Sequence, residues 1–138
     1  MFERIKSWFR AKPPIAIQHS DFGTLTLEAG LWSGEIQRDG RTIRFFIGGT
    51  DNGPDAELIR RLRDILGKFG EIERAGLEFI RAHEPGLGDG EFTFYAVDLL
   101  WEDRPEDFAL EFEAAGDIDG VWRVEFEDGR PKSVGRDD

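Results

Sequence analysis

The side chains in this sequence that could do acid–base, nucleophilic or metal chemistry are few, and their spacing does not suit it. There is no cysteine, which removes thiol nucleophiles, disulfides and thiolate zinc sites together. The two histidines, His19 and His83, lie far apart and in none of the spacings that bring two ring nitrogens to one metal. His19-Ser20-Asp21 holds the residue types of a nucleophile–base–orienter relay. Three successive residues on one loop cannot normally line up as that relay requires. Gly48-Gly49-Thr50-Asp51-Asn52-Gly53 invites comparison with a phosphate loop, but no Lys-Ser/Thr follows the last glycine and the dinucleotide spacing is missing. A hairpin exit with a helix cap accounts for the same residues. Asp117-Ile118-Asp119-Gly120 begins like a calcium loop, yet the later oxygen ligands do not follow in register, so a turn is expected. No catalytic residue, cofactor or metal ligand is assigned.

Two features remain as candidates. Asp98 falls in an apolar run and is placed on one face with Phe94, Ala96 and Leu100. A carboxylate there is the candidate perturbed carboxylate, because burial disfavours its charge unless an arginine pairs with it. The second is Trp101-Glu102-Asp103-Arg104-Pro105-Glu106-Asp107, an aromatic among four acids in one turn. Trp101, Glu102, Asp103, Glu106 and Asp107 form the candidate partner-binding set, since tryptophan anchors interfaces and acids steer a cationic partner. The competing reading is a solvated hairpin loop. A further polar surface, made from Glu35, Arg44, Glu111, Arg123 and Glu125, is expected to form cross-strand charge pairs.

The elements that must position these groups follow from periodicity. Phe2 to Lys12 reads as a short helix ended by Pro13-Pro14. Leu25/Leu27, Trp32/Gly34/Ile36 and Ile43/Phe45/Ile47 alternate with polar residues as strands, and Asp39-Gly40 signals a hairpin. Pro54 suits a first helical position and Asp55 complements the helix dipole. Leu58, Ile59, Leu62, Ile65, Leu66 and Phe69 then keep helical spacing, and Gly70 is read as the end of that helix. A second stripe runs Ile72, Ala75, Gly76, Phe79, Ile80 and His83, giving a helical hairpin. From Phe92 to Trp101 the chain is apolar on both parities, with Tyr95, Val97, Leu99 and Trp101 assigned to the side opposite Phe94. Such a strand is central and covered twice, or it exposes a functional patch. Phe108/Leu110/Phe112 and Trp122/Val124/Phe126 add strands, and Asp128-Gly129 signals a last hairpin into a short strand near Ser133-Val134. The expected fold is α+β: a single antiparallel sheet of about six or seven strands with a two-helix hairpin on one face, plus a short N-terminal helix. Residues 1–14 are set apart as an amphipathic helix, and residues 15–138 as one domain.

The net charge of −11 is uneven. Residues 1–20 carry Arg4, Lys6, Arg10 and Lys12 against Glu3, whereas residues 84–138 hold five basic and seventeen acidic side chains. That acidity repels phosphate backbones, so no nucleic-acid partner is expected and a basic protein partner is. No leader-like run or ~20-residue apolar stretch is evident, which reads as a cytoplasmic protein. Residues 1–12 could also touch an acidic membrane surface, although a docking helix accounts for them more simply. Oligomeric state is not legible.

Trp32-Ser33-Gly34-Glu35-Ile36, Phe45-x-Ile47, the Asp51-Asn52-Gly53 turn and the ending Trp122-Arg123-Val124-Glu125-Phe126-Glu127-Asp128-Gly129 together resemble a loose group of uncharacterised small acidic bacterial domains. Some of that general type act as immunity partners of secreted toxins. The resemblance implies a non-enzymatic protein-binding domain, such as a cytoplasmic immunity protein masking a basic toxin. Its motifs are core and turn residues, so it transfers no functional residue. The alternatives are a ligand binder or enzyme using carboxylates in a sheet–helix pocket, and a membrane-proximal accessory domain anchored by the first helix.

Overall fold

The computed structural model describes residues 15–84, 92–115 and 120–137. The helix expected over residues 1–14 lies outside them, as do Asp117 and Asp119 of the expected turn. The strands are β1 (Ile15–His19), β2 (Gly23–Glu28), β3 (Leu31–Arg38), β4 (Arg41–Thr50), β5 (Gly53–Pro54), β6 (Phe92–Leu99), β7 (Phe108–Ala114), β8 (Val121–Glu127) and β9 (Arg130–Asp137). Between β5 and β6 stand α1 (Ala56–Gly67) and α2 (Phe69–His83).

The sheet order is β1-β2-β3-β4-β6-β7-β8-β9, with β5 paired to β4. Two antiparallel four-stranded meanders therefore meet at one parallel seam, β4 against β6, with Phe45 opposite Val97 and Ile47 opposite Leu99. This corrects the expectation of a wholly antiparallel sheet with six or seven strands. A parallel pair needs a long crossover, and the two helices supply it. The strands not anticipated are β1, a five-residue run after Pro13-Pro14, and β5, a two-residue pairing of Gly53-Pro54 with Gly49-Thr50. β9 is also longer than expected.

Asp39-Gly40 and Asp128-Gly129 make their hairpins with positive φ at both residues, 52° and 74° in the first and 53° and 80° in the second. That is the backbone a two-residue hairpin matched to strand twist requires. Ala29-Gly30 does the same between β2 and β3, with φ of 51° and 81°.

Asp55 caps α1, its carboxylate accepting from the backbone N–H of Glu57 (3.0 Å) and Leu58 (3.1 Å). Pro54 thus precedes the cap instead of opening the helix. Asp55→Ala should remove about 1 kcal/mol, seen as a melting point lower by about 3 °C in a chain of this length; an unchanged melting point would show that the cap bonds are not needed. The break between the helices falls at Lys68, not Gly70. It turns Phe69 so that its ring meets Phe94 edge-on at 4.9 Å. The helices then diverge: α1 approaches β4, and α2 lies over β8 and β9. Gly76 sits against the sheet, where a Cβ would stand 3.3 Å from the Phe112 ring.

The core lies between the helices and one face of the sheet: Leu58, Leu62 and Ile65 of α1 and Ile80 of α2 bury against Trp32, Phe45, Ile47, Leu110, Phe112 and Val124. The double parity of β6 is resolved by a bulge. Phe94 pairs with Phe112 and Ala96 with Glu111, so Tyr95 is an extra residue and alternation restarts after it. Phe94, Val97 and Leu99 consequently all face the helices, whereas Ala96 and Asp98 face the other way. Tyr95, Val97, Leu99 and Trp101 are not one surface.

Candidate interaction surface

Beyond Leu99 the chain makes two successive turns, closed by Arg104 N–H to Trp101 C=O (3.0 Å) and Asp107 N–H to Arg104 C=O (2.9 Å). Arg104 reaches back over the Trp101 ring, 5.4 Å from its centroid, and lies 3.6 Å from the Asp107 carboxylate. Asp107 is 9% exposed, so this acid is used inside the loop and does not join the others at the surface. Glu102 bends over the end of β4: its carboxylate oxygen lies 2.8 Å from where a Gly48 Cβ would stand. Arg61 of α1 ties the loop down through the Glu106 carbonyl (3.3 Å) and lies over the Phe108 ring. What remains at the surface is a half-buried Trp101 ringed by Glu102, Asp103 and Glu106, none of which forms an ion pair among the described residues. Sequence reasoning missed the far wall of this site, Glu125, Glu127 and Lys132 of the last hairpin. The crevice between holds about 30 Å³, room for a water or two and not for a ligand. Lys132 binds Glu127 at 2.7 Å, and that hydrogen bond raises its pKa above the ordinary lysine value.

The second candidate surface is the sheet face turned away from the helices. Its charged residues pair across strands as expected. Arg44 meets Glu35 at 3.2 Å and lies 5.0 Å over the Tyr95 ring. Its pKa is raised chiefly by the Glu35 hydrogen bond and further by Tyr95, against the opposing pull of desolvation. Arg123 meets Glu111 at 3.3 Å and Asp98 at 3.5 Å. Asp98 is 2% exposed, yet the bulge puts it on this face with Ala96 and not with Phe94. The sheet–helix pocket imagined around it therefore lacks its carboxylate. A shallow groove of about 470 Å³ crosses this face between Thr26, Glu35, Arg44, Phe46 and Tyr95.

The remaining sequence candidates have structural roles. His19 Nδ1 accepts the Asp21 N–H at 3.1 Å, and the Asp21 carboxylate binds Arg63 at 2.8 Å, so His19, Ser20 and Asp21 form no relay. His83 Nδ1 contacts the Phe79 carbonyl at 3.0 Å and its ring stacks on Phe79. The Gly48–Gly53 loop is filled by its own backbone: a Cβ on Gly49 would stand 2.4 Å from the Gly53 carbonyl oxygen. Among the described residues no group of three or more His, Asp or Glu converges as a metal site, and no helix is long and apolar enough to cross a membrane.

No known protein family matches this chain, and no curated protein or solved structure shows significant similarity to it.

Proposed function

We propose that this chain is a protein-binding domain without catalysis of its own, which engages a basic partner through the loop between β6 and β7. The observation that supports this is Trp101, half-buried and braced by Arg104, beside three outward acids with no ion pair among the described residues. An aromatic anchor ringed by uncompensated charge is the composition of an interface hot spot with electrostatic steering. The bracing matters as well, because a side chain already ordered loses little entropy on binding. The most concrete form of the proposal is an immunity-type domain that masks a basic toxin, and the uneven acidity of residues 84–138 supports it.

The test compares the full chain with its Glu102→Gln, Asp103→Asn, Glu106→Gln variant as bait in lysate of the source cells. Three exposed charges at about 0.5 kcal/mol each amount to roughly tenfold in affinity. The wild type should retain one basic protein in stoichiometric amount, released by salt, and the variant about a tenth as much. Equal retention by both baits, or none by either, overturns the proposal.

A further inference from the structure

We propose that the cleft between the β3–β4 hairpin and the helix break at Lys68 binds a small phosphate monoester. The cleft holds about 440 Å³, within the range of small-molecule sites. It lies where β4 begins, at the end of that strand away from the Trp101 loop, and so stands apart from the surface proposed above. Local charge is the first reason. Arg38, Arg41, Lys68 and Arg74 line the cleft against Asp39 and Glu71, and cations still outnumber acids when Glu73, the partner of Arg41, is counted. Across the whole chain the balance is the reverse, 18 basic side chains to 29 acidic. Arg38, Lys68 and Arg74 form no ion pair among the described residues.

The arrangement of those cations is the second reason. Arg38 and Arg41 stand directly opposite each other across the hairpin, on the helix face of the sheet. Like charges so placed destabilise a strand pair, and an anion held between them removes the repulsion. Arg41 is already fixed in position. Its guanidinium donates at both ends to the Glu73 carboxylate of α2, at 2.9 Å on one side, and lies 5.4 Å over the Phe69 ring. That fork leaves further N–H groups of the same guanidinium for a ligand. A side chain ordered beforehand loses little entropy on binding.

The chemistry of the lining selects the ligand class. A carboxylate has two oxygens and is matched by a single arginine fork. A phosphate monoester carries about −1.5 to −2 charge at pH 7 and three acceptor oxygens, so several cations can share it. The floor beneath the cations is apolar, formed by Ile43, Leu66 and Phe69, and gives the organic part of the ligand a surface to lie on. Compactness follows from the rest of the chain. The acidic side chains of residues 84–138 repel an extended polyanion such as a nucleic acid. None of the described residues in that span lines the cleft. Screening confines their repulsion to about 8 Å, so a small anion seated among the local cations escapes most of it.

Titration of the full chain with phenyl phosphate, followed by its backbone amide NMR signals, tests this directly. The signals of residues 38–41 and 67–71 should move and saturate, while phenol at equal concentration moves none of them. The variant Arg38→Gln, Arg74→Gln should bind phenyl phosphate about tenfold more weakly. Both arginines are exposed, so the variant should keep the wild-type spectrum away from the cleft. A second measurement uses inorganic phosphate at constant ionic strength. It should raise the melting point of the wild type above the value in chloride and leave that of the variant unchanged. Equal affinity of wild type and variant, or shifts that follow ionic strength alone, overturn the proposal. Vesicles of phosphatidylcholine containing a phosphatidylinositol phosphate separate a lipid headgroup from a free ligand. The chain should stay in solution with them, and sedimentation with the vesicles without a response to phenyl phosphate rejects the small-molecule ligand.

Discussion

Replacing Trp32 with alanine is expected to lower unfolding stability by about 4 kcal/mol, the range for deleting a large buried aromatic. Trp32 has no exposed surface and stands between Leu27 and Ile47 on the helix face of the sheet. Its indole N–H donates to the Thr50 carbonyl at 2.8 Å. Two losses therefore coincide: the ring volume that fills the core under α1, and the donor that satisfies a carbonyl at the end of β4. Trp32→Phe separates them. It keeps most of the apolar volume and strands the carbonyl, which should cost about 1–3 kcal/mol. Urea denaturation followed by far-ultraviolet circular dichroism reads both, with an unchanged m-value confirming that the midpoint shift is a stability change. A loss below about 2 kcal/mol for Trp32→Ala would mean that the core collapses around the vacancy. The Thr50 carbonyl begins the turn into β5, beside Gly48 under Glu102, so the same bond steadies one border of the Trp101 site.

Most of the architecture was legible because it rests on local patterns. The stripe from Leu58 to Leu66, the alternation of β3, β4, β7 and β8 and the Asp-Gly hairpins are each written in contiguous residues. What escaped is not written as a period in contiguous residues. β5 exists only because Gly49 lets the chain fold back within hydrogen-bonding distance of Gly53-Pro54, and two residues carry no period. The parallel seam requires knowing that β6 returns beside β4, which no local pattern encodes. The bulge at Tyr95 was the costliest omission: one uncounted residue reversed the assigned faces of Val97, Leu99 and Asp98. A signal for it was present, since two apolar parities in one strand can mean a bulge between them as well as two covered faces.

The site was legible in composition and not in arrangement. Trp101 and its neighbouring acids share one loop, as their adjacency dictates. That Asp107 turns inward to Arg104, and that Glu102 folds onto Gly48, depends on where β4 ends relative to β6. The arginine proposed for Asp98 could have been any of several. Arg123 takes that position because Ala109 and Glu111 of β7 hold β8 in register beside it.

That arginine carries the second large expected effect. Arg123 is the one cation among the described residues that bridges two deeply placed carboxylates, with side-chain exposure of 3% for Asp98 and 11% for Glu111. Arg123→Met preserves the alkyl stem and removes the charge that meets both acids. Removing one partner from such a cluster costs about 3–5 kcal/mol when fully buried. Because the Arg123 side chain is itself 33% exposed, the low end applies, about 3 kcal/mol. The cost comes from stranding charge and not from losing attraction, so removing the acids as well should restore stability. The triple variant Asp98→Asn, Glu111→Gln, Arg123→Met is expected to recover at least about half of the loss. Urea midpoints of the three proteins decide the matter. If Arg123→Met lies within about 0.5 kcal/mol of wild type, the range of an ordinary surface change, the arginine is not what makes those two acids tolerable. If the triple variant recovers nothing, Arg123 contributes through packing of its stem and not through its charge.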